Sequence, residues 1–332
     1  MDPVYVDAHS PSINDIRALR DKLGTWLLCT PVLECAALSA ASGAQVFGKL
    51  EFLQRTATFK PRGALAVMLG LTAAQRAAGV TAVSAGNHAI AVAYAARELG
   101  ISAKVVMLKT ASRMRMERCA AYGAELVLAD DVHGAFARVA KISRQEGRYL
   151  VHPFEGPLTS LGTATLGLEI CEQVAEFDAV LVPVGGGGLC SGVAAAIKQL
   201  KPAVTIFGIE PEGADSMHRS FASGKPERIE TVATIADSLG APFALPYSYA
   251  LCRRYVDELV LVDDTQLRDA MRLLFQDMHM VVEPACAAST AALLGPLQKR
   301  LAGKKVVLVM CGSNTDWGTW ERQALRVVYD AA

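Results

Sequence analysis

Between residues 80 and 151 the chain alternates short apolar runs with helix-length segments. The runs at 80–83, 103–108, 125–128 and 149–151 are rich in Val and Leu. The stretches between them, at 87–98, 111–121 and 132–145, suit about three or four helical turns each. Strands so far apart cannot join as hairpins, and this spacing predicts a parallel sheet with crossover helices packed on it. A second set of runs follows at 179–184, 205–209, 258–262 and 305–310, with helices between most of them. Two α/β lobes with open twisted sheets are therefore expected. The smaller, 69–155, is inserted into a larger one made from 1–68 and 156–332. Upstream, Ile13, Ile16, Leu19 and Leu23 mark a helix stopped by Gly24, and a strand is expected at 45–52 after Thr30-Pro31. Residues 219–246, rich in Gly, Pro and Ser, read as surface loops with short helices.

The composition supports a large buried core, with 52% hydrophobic and 20% charged residues in 332. Lys+Arg and Asp+Glu both number 33, so no net field favours nucleic acid or an anionic membrane. Eight cysteines form no CxxC pair, and several lie in apolar runs, as reduced core residues of a cytoplasmic protein would. Residues 1–7 lack the basic start and apolar block of a signal peptide, and no apolar run reaches the roughly 18 residues of a membrane span. No appended regulatory domain is expected after about residue 330, and with it no allosteric feedback.

In open parallel sheets ligands gather beyond the carboxyl ends of strands. Four such ends carry unusual residues. Lys60 lies between Phe59 and Pro61, just before the apolar run 64–71. A residue before proline is pushed out of the αR region, and proline favours the first helical position, so Lys60 is expected to cap a helix. There the helix dipole and a neighbouring phenyl ring should favour the neutral, nucleophilic amine. Ser84-Ala85-Gly86-Asn87-His88 offers hydroxyl, amide and backbone N–H groups at a helix start, suited to a carboxylate or to ordinary capping. Gly185, Gly186, Gly187 and Gly188 precede Leu189. Four glycines cost chain entropy that a packed core would not repay; they suit a backbone wrapped round a phosphate, or a tight turn. The run is neither GxGxxG nor a P-loop. Cys311-Gly312-Ser313-Asn314 could meet a ring nitrogen or a substrate, or simply turn the chain. An activated lysine, a carboxylate nest, a phosphate cradle and a small polar strand end together describe pyridoxal phosphate holding an amino acid.

At this point the chain resembles the fold-type II pyridoxal-phosphate enzymes, specifically the serine/threonine dehydratases and their serine racemase relatives. The likeness covers nearly the whole chain. Thr58-Phe59-Lys60-Pro61-Arg62-Gly63-Ala64 matches Ser-Phe-Lys-x-Arg-Gly-Ala, whose lysine carries the cofactor as a Schiff base. Residues 84–88 match the substrate-carboxylate loop, whose asparagine (Asn87) also contacts the cofactor's phenolic oxygen. Gly185, Gly186, Gly187, Gly188 and Leu189 match the phosphate loop. Glu283-Pro284-Ala285 falls near the cofactor ring, and Cys311 falls where the family sets Ser or Cys against the pyridine nitrogen. Thr234-Ile235-Ala236-Asp237 also matches. The resemblance implies the tryptophan synthase β-subunit-like fold, with the cofactor in the cleft between lobes. It implies a homodimer that eliminates water and ammonia from a 3-hydroxy amino acid such as threonine or serine. Lys60 is the expected catalytic base.

Several positions depart from the pattern. Thr-Gly-Ser before Phe-Lys becomes Thr56-Ala57-Thr58, expected to narrow the pocket by two methyl groups, and Ala-Asp-Gly becomes Ala236-Asp237-Ser238. Gly-Gln-Gly-Thr becomes Gly162-Thr163-Ala164-Thr165. Ala85 replaces the opposite-face serine of the racemases, so racemisation should be slow. Of the family's divalent-cation ligands Glu210 and Ala214 match, but Ser216 stands in place of Asp, which leaves that site one ligand short. A β-replacement enzyme of the same fold and a non-catalytic amino-acid sensor are the rival readings. The sequence at 60–62 and 84–88 argues against the first, and the intact Lys60 and glycine loop argue against the second.

Overall fold

The computed structural model describes residues 9–325; the termini read above for targeting and for a further domain lie outside them. Ten strands form two sheets: β1 Val32–Glu34, β2 Gln45–Leu50, β3 Val80–Val83, β4 Ala103–Leu108, β5 Glu125–Ala129, β6 Tyr149–Leu150, β7 Ala179–Pro183, β8 Thr205–Pro211, β9 Glu258–Val262 and β10 Lys305–Met310. The larger sheet runs β1-β2-β10-β7-β8-β9 and the smaller β5-β4-β3-β6. Every pairing is parallel except β1 with β2 at an edge. In register, Val307 of β10 faces Phe47 on one side and Val180 on the other. Such central strands are covered on both faces, which is why β7 is buried at all five positions instead of alternating. The helix Pro284–Leu294 is buried all round for the same reason and serves as a core element.

The expected strands and crossover helices are present within a few residues. Several elements had no sequence counterpart, among them β1 and the helices Ala36–Ser42, Ala73–Ala78, Pro157–Gln173 and Trp317–Leu325. Three half-exposed residues, Val32, Leu33 and Glu34, are too few to show a period, and an Ala- and Ser-rich helix carries little apolar patterning. The strand expected at 45–52 stops at Leu50, because the chain turns into a short 3-10 helix, Glu51–Leu53, that sends the Glu51 carboxylate inward.

That carboxylate belongs to a buried ion cluster. Arg62 donates from Nε and Nη2 to Glu51 at 2.7 and 2.8 Å, and from Nη1 and Nη2 to Glu169 at 2.7 and 2.9 Å. Lys49 donates to Glu169 at 2.6 Å, to the Thr30 carbonyl at 2.7 Å and to Gln173 at 2.8 Å. None of the four charged residues is more than 4% exposed. Burial would raise the Glu169 pKa, but Arg62 and then Lys49 bring it below the usual carboxylate range. Two cations thus balance two anions, and the bidentate fork of Arg62 fixes the first turn of the helix Pro61–Leu69.

Candidate active site

Lys60 caps that helix as expected, but its backbone is αR (φ −54°, ψ −33°) rather than extended. The conformation is held from both sides. The Ala64 N–H donates to the Lys60 carbonyl at 3.2 Å, and the Phe59 N–H to the Cys311 carbonyl at 3.2 Å. Together these outweigh the pre-proline preference. The amine donates to the Pro153 carbonyl at 2.7 Å. Burial pulls its pKa down to about 8, against smaller raising effects of Cys311 and Glu283. The Phe59 ring lies 5.1 Å from the amine in a cation–π arrangement, so it also favours the charged form, contrary to the sequence reading.

One cavity of about 310 Å³ lies between the two sheets. Phe59, Lys60, Ser84, Ala85, Gly86, Asn87, His88, Gly185, Gly186, Gly187, Gly188, Leu189, Glu283 and Cys311 all line it. Thr58 does not: it is fully buried, bridges Gly312 as an isolated β-pair, and leaves its hydroxyl unpartnered. Ala57 is also absent from the lining and adopts φ 56°. The two extra methyl groups therefore load the turn behind the cavity and do not narrow it.

The glycine loop joins β7 to the helix Gly188–Leu200, with Gly187 in the left-handed region at φ 88°. A Cβ on Gly186 would come within 2.4 Å of the Phe154 ring, and one on Gly188 within 2.4 Å of the Phe154 carbonyl. Packing thus demands glycine here too, which corrects the expectation that a core gains nothing from the run. The N–H groups of Gly185, Gly186 and Gly187 find no acceptor among the described residues, and those of the helix's first turn have none within the helix. They form a free donor set suited to a phosphate.

At the end of β3, Ser84 Oγ accepts from the Gly86 N–H at 3.1 Å, shaping the loop. The helix Asn87–Glu98 starts there with no side-chain cap, leaving its first donors open to a carboxylate. His88 is buried, its Nε2 paired with the Val151 carbonyl at 2.8 Å; burial and then Lys60 push its pKa down to about 3. The Asn87 amide is fully engaged. Its Nδ2 donates to Glu283 at 2.6 Å and Ser238 at 3.2 Å, and its oxygen accepts from Asn314 at 2.7 Å. Burial raises the Glu283 pKa while Arg115 lowers it. The Cys311 thiol is held protonated, well above the usual range, by a hydrogen bond with Cys286 and by burial.

Several contributors were missed in the sequence. Arg115 donates to Asp237 at 2.6 Å and to the Asn314 carbonyl at 2.9 Å, directly behind Gly86. Nothing distinguished it from the other arginines of its helix. The segment after β6 could have been found, since His152-Pro153-Phe154-Glu155 is a further strand end with polar residues. There His152 Nδ1 accepts from the Phe154 and Glu155 N–H groups at 3.3 and 3.0 Å, and Glu155 accepts from the Tyr247 N–H at 2.7 Å and the Ser248 N–H at 3.1 Å. Thr163 buttresses the glycine loop through a 2.7 Å bond to the Gly188 carbonyl. Away from the cavity, Glu210 accepts from the Met217 and His218 N–H groups at 2.9 and 2.7 Å, while Ser216 Oγ donates to the Ala241 carbonyl. Burial pushes Glu210 up to about 8. Among the described residues no group of three His, Cys, Asp or Glu side chains could hold a metal ion, and no helix is long and apolar enough to cross a membrane.

A buried amine, free backbone donors and a protonated thiol in one cavity fit an aldehyde-bearing phosphate ester. The family model described as pyridoxal-phosphate dependent enzyme matches residues 26–312. The chain is 54% identical to phenylserine dehydratase of Ralstonia pickettii, over 94% of this chain and 96% of that protein. It is 36% identical to the L-threonine ammonia-lyase of Thermotoga maritima, over 92% of this chain and 76% of that one. Among solved structures, maize serine racemase superposes with a TM-score of 0.90 at 34% identity, covering 94% and 96% of the two chains.

Proposed function

Because the chain belongs to the pyridoxal-phosphate dependent enzyme family, we propose that it is a dehydratase converting a 3-hydroxy amino acid to a 2-oxo acid and ammonia. The relatives named phenylserine dehydratase and L-threonine ammonia-lyase support this reading. The observation that carries it is the meeting of Lys60, the glycine loop and the uncapped helix start in one cavity.

Bound there, pyridoxal phosphate supplies the electron sink that makes the substrate α-proton removable. Lys60 would hold the cofactor and would take the substrate α-proton at Nζ. A pKa near 8 keeps a useful fraction neutral at physiological pH. The open N–H groups of Ala85, Asn87 and His88 would orient the substrate carboxylate, those of Ser84 and Gly86 being taken by the Val106 carbonyl and by Ser84 Oγ. Gly185, Gly186, Gly187, Gly188 and Leu189 hold the phosphate. Cys311 would be the residue against the ring nitrogen, and its protonated, buried thiol would be a poor proton donor there, which would favour prompt loss of the β-hydroxyl over lingering negative charge at the α-carbon. Asn87, whose Nδ2 now donates to Ser238 and Glu283, would be the residue to contact the phenolic oxygen. Phe154, packed on the glycine loop, excludes water from that side.

The same reading takes 69–155 as the small lobe, which the four-stranded sheet supports. The family resemblance also supports a cytoplasmic homodimer, whose assembly light scattering would test. For the activity itself, 2-oxo acid and ammonia release from a panel of 3-hydroxy amino acids is the test. Equal molar release of both from at least one of them is expected. Racemisation without elimination, or β-replacement by an added thiol, would overturn it.

A further inference from the structure

Resting on that dehydratase reading, we infer that Phe136 and Leu150 form a clamp for the substrate's β-substituent and select an aryl group over a methyl group. Both line the cavity, and both are exposed, 48% and 38%. Phe136 lies on the helix Val132–Glu146, three residues from Val139 and so on the same face. Val139 is 3% exposed and belongs to the cluster that holds this helix to its sheet, whereas Phe136 does not join it. A phenyl ring kept at a cavity mouth, off the core, is unfavourable in water unless a ligand covers it.

The other contributors to the cavity sharpen the assignment. The polar groups are already allotted: Lys60 to the reacting carbon, residues 84–88 to the carboxylate, and the glycine loop to the phosphate. Of the rest of the lining, Arg115, Asp237, Ser238 and Glu283 are bonded to one another or to Asn87, whereas Phe136, Val139, Leu150, Pro242 and Phe243 have no side-chain hydrogen-bonding atom. Phe154 and Phe243, 6.1 Å apart, extend the aromatic surface beside the glycine loop, and His152 meets Phe154 edge-on at 4.6 Å. His152 is kept neutral, its pKa pushed down to about 4 by burial and then by Lys60. A wall of this kind suits an aromatic β-substituent and leaves a second hydroxyl or carboxylate there unpaired.

The test compares kcat/KM for 3-phenylserine and for threonine in the wild type, Phe136→Ala and Leu150→Ala, by 2-oxo acid release. The wild type should prefer 3-phenylserine, and each substitution should lower the ratio of the two values by about 10-fold or more, mainly through KM. Turnover of threonine reports that each variant is folded and loaded. A ratio unchanged in both variants, or a wild type that prefers threonine, overturns the clamp and leaves the dehydratase standing. No 2-oxo acid from either substrate with wild-type protein brings down the dehydratase reading, and the clamp with it.

Discussion

Replacing Glu169 by Gln isolates the effect of the buried ion cluster that aims Lys60. The substitution keeps side-chain shape but removes one negative charge, so Arg62 and Lys49 are left facing Glu51 alone. Three contacts of 2.6–2.9 Å lose their ionic partner, and no charged member of the cluster exceeds 4% exposure. An uncompensated charge at such depth costs about 3–5 kcal/mol. Arg62→Met leaves the opposite excess, two carboxylates and one ammonium, at a similar cost. The double variant restores neutrality with Lys49 and Glu51, so its loss should fall short of the sum by about 2–3 kcal/mol. Urea unfolding at neutral pH, with the midpoint shifted and the slope unchanged, measures all three. The sign with pH follows from the lowered Glu169 pKa. Its stabilisation is complete above the unfolded carboxylate value of about 4.3 and is lost as pH falls through the lower folded value. The gap between wild type and Glu169→Gln should therefore close in acid. Single losses under about 1 kcal/mol, or strict additivity, would refute the reasoning.

Three further outcomes are expected. Ala57→Gly relieves an alanine at φ 56°, worth about 1–2 kcal/mol, and returns about 0.4–1 kcal/mol of chain entropy. A rise in thermal midpoint with unchanged substrate preference is expected, since Ala57 does not line the cavity. Glu155→Ala leaves the Tyr247 and Ser248 N–H groups at the start of the helix Pro246–Tyr255 without their acceptor, costing about 1–2 kcal/mol. It also frees the segment holding Phe154 against the glycine loop, so cofactor dissociation, followed by fluorescence, should quicken. The rate at which cofactor-free protein captures pyridoxal phosphate should rise as pH climbs through about 8, because the neutral Lys60 amine is the nucleophile. A rate independent of pH between about 6 and 9 would mean that the amine is already neutral throughout.

The period of the central strands made the architecture legible, because buried parallel strands and their crossover helices write themselves as apolar runs at regular spacing. The candidate site was legible where residue types are unusual for a strand end: a lysine before proline, a polar loop at 84–88, and four glycines whose packing role against Phe154 stayed hidden. What stayed hidden depends on long-range contacts. The αR conformation of Lys60 is imposed by Cys311 and Ala64, and the pKa of its amine reflects burial more than the adjacent ring. Thr58 was misplaced because neighbours in sequence to a catalytic lysine need not share its side of the chain. Arg115 became visible only once folding brought it beside Asp237, Asn314 and Glu283.

The central claim is that the amine of residue 60 carries the cofactor. Borohydride reduction of the cofactor-loaded protein, followed by peptide mass mapping, tests it directly. A single pyridoxyl group on the peptide containing Lys60 is the expected result. A group on any other lysine, such as Lys49, or a protein that takes up none, would contradict it.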